Sequence, residues 1–103
     1  PADAIPPITP YVVMRVGTVP VVPYTRPGSA DVKARIAAIV ADHSAALLEN
    51  HGPIVCGASL DAAVFAIEEL EEAAKLAIIT HGMPVRHLTP SMIADLNATF
   101  RLR

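Results

Sequence analysis

The chain has 103 residues, enough for one domain with a modest core. It is 52% hydrophobic and only 17% charged, with a net charge of −2. That balance argues against nucleic-acid binding, which needs a basic face, and no apolar run reaches the roughly 20 residues of a membrane span.

A mean hydropathy of +0.44 is high for so small a globule. Further polypeptide is therefore expected to cover part of this apolar surface. The opening PADAIPPITP lacks an initiator Met and a signal segment, so the chain is expected to be a fragment of a larger protein, with a mature N-terminus after processing as the alternative. The single Cys56 excludes an intramolecular disulfide and fits a reducing, cytoplasmic compartment. Its apolar neighbours suggest a small core residue.

Seven of the ten prolines precede Ser29, which predicts short or edge strands separated by tight corners. YVVMRV (11–16) is the strongest strand there by its β-branched content, and VPVVPY (19–24) reads as a second, ending at an Arg26-Pro27-Gly28 turn. A helix is predicted from Ser29 or Asp31 to about Asp42, with Val32, Ile36, Ile39 and Val40 on one face. Ala45–Leu48 and Ile54–Gly57 read as short buried strands joined by an Asn50-His51-Gly52-Pro53 corner.

Ser59 is a natural N-cap, and Asp61 favours the positive end of the helix it starts. This helix should run to about His81 and stop at Gly82. Leu60, Val64, Ile67, Leu70, Ala74 and Ile78 form its predicted stripe, and further apolar residues imply cover on two sides. Thr89-Pro90 is an N-cap with proline at the first helical position, starting a last amphipathic helix with Met92, Ile93, Leu96 and Phe100 on its apolar side. Strands, helix, strands and helices together predict an α/β sandwich with an antiparallel or mixed sheet.

Of the four histidines, none stands in a metal-binding spacing with another histidine or with cysteine. His43 and His81 are read as helix-end residues and His87 as solvated. His51 is different, because a glycine turn between two strands fixes its direction. On the residues alone, a plain turn histidine and a metal ligand both remain open, since zinc needs three or four donors. Tyr11 could pack against the core with its hydroxyl at the rim. Arg26, beside Pro-Gly, could clamp a carboxylate or phosphate or simply be solvated. The glutamates at 68, 69, 71 and 72 point in several directions around a helix and read as a solvated or interface face.

The stretch LLENHGPIVCGASLDAAVFAIEELEEAAKL, with IPPITPYVVMRVG and VPVVPYTRPGS before it, resembles the C-terminal half of the class II aldolase/adducin family across the whole chain. The phrasing of PYVVMRVG and PYTRPGS leans toward the branch of 3-oxo-tetronate 4-phosphate decarboxylase and fuculose-phosphate aldolase. The resemblance implies a three-layer α/β/α sandwich with a largely antiparallel sheet, assembled as a homotetramer, of which residues 1–103 form the C-terminal half of one domain.

It further implies a divalent metal, typically zinc, held by three histidines. His51 matches the third; the other two form a His-x-His pair in the family's N-terminal half, along with an acid/base glutamate and the phosphate-binding loops. Tyr11 matches a proton donor that reaches a neighbouring subunit's site, and Arg26 is a weaker candidate for substrate contact. The implied activity is carbon–carbon bond cleavage or decarboxylation of a phosphorylated sugar or sugar acid through a metal-stabilised enediolate. By itself the chain is expected to be inactive. A non-catalytic adducin-like scaffold of the same fold is the second reading, and an independent small binding domain the third.

Overall fold

Strand β2 (Ala45–Leu48) is the middle of a three-stranded sheet in a computed structural model that describes residues 3–100. It pairs antiparallel with β3 (Gly52–Val55), from Ala45 opposite Val55 to Leu48 opposite Gly52. On its other side it pairs parallel with β1 (Val21–Val22), Val21 facing Leu47 and Val22 facing Leu48. A parallel pair needs a long return path, and helix α2 (Ala30–Val40) supplies it, resting on β1 and β2. The described sheet is therefore mixed, with one parallel and one antiparallel pairing.

β1 is short because prolines flank it at positions 20 and 23 and withhold amide donors. Carbonyls serve instead: the Leu47 amide donates to Pro20 at 2.9 Å and the Glu49 amide to Val22 at 2.9 Å. The outer side of this segment meets the start of the chain through an Asp3–Pro20 bridge and a hydrogen bond donated by the Ala4 amide to the Val19 carbonyl at 2.8 Å. The Asp3 carboxylate fixes that fold-back by accepting from the Val19 amide at 2.9 Å.

The YVVMRV segment corrects the sequence reading: it is helix α1 (Pro10–Arg15), not a strand. Thr9 is extended at its N-cap and Pro10 sits in the first turn, where its missing amide costs nothing. Val12 and Val16, four residues apart, are both buried, so their packing outweighs the β preference of the branched side chains. Gly17, at φ 81°, closes the helix while its amide donates to the Val12 carbonyl at 2.9 Å.

Helix α3 (Leu60–Ile79) begins where expected: the Ser59 hydroxyl accepts from the Ala62 amide at 3.1 Å. Its end is marked by Thr80, whose hydroxyl donates to the Leu76 carbonyl at 2.8 Å. The buried stripe matches the predicted one in part: Leu70 is buried, and Ile67 and Ala74 pack against the core. Ala66, Leu70 and Ala73 face the core, whereas Leu60, Val64 and Ile78 lie exposed. The small alanines beside Leu70 bring the helix close to α1 and β3. The last helix, α4 (Pro90–Phe100), starts at the predicted Thr89 cap, which accepts from the Met92 amide at 3.2 Å.

One cluster joins Ile5, Val12, Val16, Val19, Ala45 and Leu70, with Leu47 and Val55 packed against it. Ala46 and Leu48, which alternate with Ala45 and Leu47 along β2, line cavities shared with Ile36 of α2. The period-2 alternation of the strand thus separates what α3 and α1 cover from what α2 covers. At the edge of the cluster, Gly57 leaves no room for a side chain: a Cβ there would lie 2.9 Å from the Ala63 amide nitrogen.

Candidate functional site

The turn that carries His51 is built by Asn50. The His51 amide donates to the Leu48 carbonyl at 3.0 Å, and Asn50, third of the four turn residues, has φ 60°. A left-handed third residue is the signature of a type II turn, and asparagine is the side-chain-bearing residue that tolerates it best. The sequence reading credited the reversal to Gly52, but Gly52 already belongs to β3. With β2 tied to β1 on one side and β3 on the other, the imidazole is anchored at its base and exposed at its tip.

His51 borders a cavity of about 460 Å³ between this turn, α2 and the loop that follows β1. Val22, Val32, Ile36 and Leu48 give it an apolar floor. Tyr24, Thr25, Glu49, Asn50 and His51 supply polar groups around it. The loop is held by a second turn, in which the Ser29 amide donates to the Arg26 carbonyl at 3.0 Å. Pro27 and Gly28 occupy its middle, with Gly28 at φ 80°, so this too has the type II signature. The PYTRPGS motif is therefore the sequence signal for the second wall of the cavity. Tyr24, the last residue of the predicted 19–24 strand, is not among the site candidates the sequence offers.

The other candidates lie elsewhere. Arg26 is exposed on the second turn and does not line the cavity. Tyr11 is 57% exposed on α1, which packs against α3 and α4, and it too is absent from the cavity lining. His81 and His87 are exposed. His43 follows α2 rather than ending it; its amide donates to the Ile39 carbonyl at 3.0 Å. It lies at the opposite end of β2 from His51, separated from it by the whole strand. Cys56 is half-buried, with its sulfur 4.0 Å from the His43 carbonyl oxygen.

Among the described residues, no group of three His, Cys, Asp or Glu side chains could hold a metal. Zinc takes three or four donors. The residues present therefore fit a metal as the source of one imidazole, not as a complete site.

The model of the Class II Aldolase and Adducin N-terminal domain family matches residues 1–78. The 3-oxo-tetronate 4-phosphate decarboxylase of Escherichia coli K12 is 52% identical over 97 residues, covering 94% of this chain and 46% of its own length. A more distant relative, the L-fuculose phosphate aldolase of Escherichia coli O6:H1, is 30% identical over 86 residues, which is 82% of this chain and 40% of that enzyme. Among solved structures, YgbL from Escherichia coli superposes with a TM-score of 0.88 at 53% identity, over 92% of this chain and 46% of that one. The chain spans about half the length of these relatives.

Proposed function

The chain belongs to the class II aldolase and adducin family, and from that premise we propose that it forms part of a lyase that decarboxylates a phosphorylated sugar acid. What carries this reading is 52% identity, over 94% of the chain, to a relative named for 3-oxo-tetronate 4-phosphate. The named relatives, decarboxylases and aldolases, favour an enzyme over an adducin-like scaffold.

In such a substrate the carboxylate is β to a carbonyl. When the bond between carbons 1 and 2 breaks, its electron pair moves into the carbon 3 carbonyl, and carbon 1 leaves as carbon dioxide. The resulting enediolate then takes a proton at carbon 2. A bound divalent cation, with zinc as the family expectation, supplies Lewis-acid polarisation of the carbonyl. His51 is assigned the role of one donor to it, through a neutral ring nitrogen. The turn at Asn50 keeps that ring at the rim of the cavity.

The remaining donors, and the groups that bind phosphate, are assigned to polypeptide equivalent to the half of the relatives that this chain does not match. Residues 1–103 would then be the C-terminal half of one three-layer, largely antiparallel domain acting in the cytoplasm. Tyr11 is assigned proton transfer in a neighbouring subunit of a homotetramer. An exposed phenol remote from its own chain's cavity suits that role better than a role in cis. Arg26, outside the cavity lining, is left at most a rim contact.

The test is to incubate the complete protein containing this chain with 3-oxo-tetronate 4-phosphate and measure released carbon dioxide. Stoichiometric release dependent on a divalent metal is expected. No release, or cleavage to an aldehyde instead, would overturn the decarboxylase assignment.

A further inference from the structure

We propose that Tyr24 is the residue by which this site recognises the hydroxyl group on its substrate's carbon chain. The inference rests on the decarboxylase reading and goes beyond it, assigning a specificity determinant on the wall opposite His51.

The chain has four aromatic residues, Tyr11, Tyr24, Phe65 and Phe100, and each is more than half exposed. Exposure alone therefore marks none of them. Tyr24 is the one of the four that lines the His51 cavity. Its place there is fixed from both sides. Upstream, β1 is bonded into the sheet through the Pro20 and Val22 carbonyls; downstream, the Arg26–Ser29 turn is held by Pro27 and left-handed Gly28. A ring at 60% exposure adds little to the core, so burial does not account for its position.

The charge of the lining narrows what the cavity can take. No lysine or arginine contributes to it, and Glu49 adds a carboxylate. Away from the cation assigned to His51, a phosphate or carboxylate group pressed against this wall would meet the Glu49 carboxylate with no lysine or arginine from the wall to offset it. The groups offered are a phenol, the Thr25 hydroxyl and the Asn50 amide, all neutral and able to donate and accept. They suit the uncharged, hydroxyl-bearing part of a ligand. In 3-oxo-tetronate 4-phosphate, carbon 1 is a carboxylate, carbon 3 a ketone and carbon 4 is esterified. The free hydroxyl is on carbon 2, the atom that loses carbon dioxide. Tyr24 would hydrogen-bond that hydroxyl while its ring shields the reacting carbon from water.

The test compares the complete protein with Tyr24→Phe, on 3-oxo-tetronate 4-phosphate and on its 2-deoxy analogue. Phenylalanine removes one exposed hydroxyl and keeps the ring, so the fold should survive; an unchanged melting temperature checks this. The variant should lose about tenfold in kcat/KM on the hydroxylated substrate, the size of one hydrogen bond made to substrate. On the deoxy analogue it should stay within about twofold, so that discrimination between the two largely disappears. Equal losses on both substrates, or no loss on either, would overturn the role of Tyr24 and leave the decarboxylase reading standing. A parent protein that releases no carbon dioxide would overturn both.

Discussion

Asn50 and His51 show how one residue sets up another. The imidazole is the group proposed to bind metal, and its direction depends on a neighbour that accepts φ 60°. A residue with a Cβ and no local hydrogen-bonding group adopts that conformation at a cost of about 1–2 kcal/mol. Asn50→Ala should therefore lower stability by about 1 kcal/mol, read as a reduced urea midpoint with an unchanged slope. Asn50→Gly should stay within a few tenths of a kcal/mol, because glycine occupies the left-handed region freely. Equal effects from the two substitutions would show that the turn does not depend on this conformation. The sequence made His51 conspicuous but misassigned its support, since an Asn-His-Gly run offers two residues suited to left-handed backbone. Both take positive φ, Asn50 at 60° within the turn and Gly52 at 158° where β3 begins, and which of them closes the turn depends on hydrogen-bond register, which is not local information.

At the scale of elements, local capping signals proved more legible than side-chain propensity. Thr89-Pro90 and Ser59 predicted helix starts that the structure places at those caps. The same Thr-Pro signal at positions 9 and 10 starts α1, yet the valines that follow outweighed it in the sequence reading. Periodicity could not separate the two readings over six residues; the burial of Val12 and Val16 against α3 does. The stripe of α3 was legible in its middle and not at its ends: Leu70 is buried and Ile67 and Ala74 pack against the core, whereas Leu60, Val64 and Ile78 are exposed and Ala66 and Ala73 add contact that larger side chains did not signal.

Gly57 abuts the start of the same helix, at Ala62 and Ala63. Its missing Cβ would press on the backbone of the first turn of α3 at 2.9 Å, and backbone cannot swing aside as a long side chain can. Gly57→Ala should destabilise the protein by about 1–3 kcal/mol, the range for overpacking. Thermal unfolding of the complete protein checks this. An unchanged or raised melting temperature would show that strand and helix have slack at this point.

At the scale of the whole molecule, the high hydropathy has a structural counterpart. Leu60 is 81% exposed, Ile78 77% and Ile79 63%, while the two largest fully buried side chains are valines. So much apolar exposure on one helix exceeds what scattered surface residues explain. The 103-residue chain alone is predicted to self-associate or to unfold without a cooperative transition. Size-exclusion chromatography and a thermal melt would show this, and a sharply melting monomer would support an independent binding domain instead. The α/β character was legible in the order of elements and a mixed sheet was among the expectations, but which strands of the described residues pair in parallel was not. It depends on α2 returning the chain to the same side of β1, a long-range fact absent from any local window.

The central claim is that the His51 ring donates to a metal whose other ligands come from outside these residues. Metal analysis of the complete protein, purified in parallel with its His51→Ala variant, tests it directly. The account predicts about one divalent ion per chain in the parent and a loss of most of it in the variant, with both proteins folded. Equal metal content in the two would contradict it.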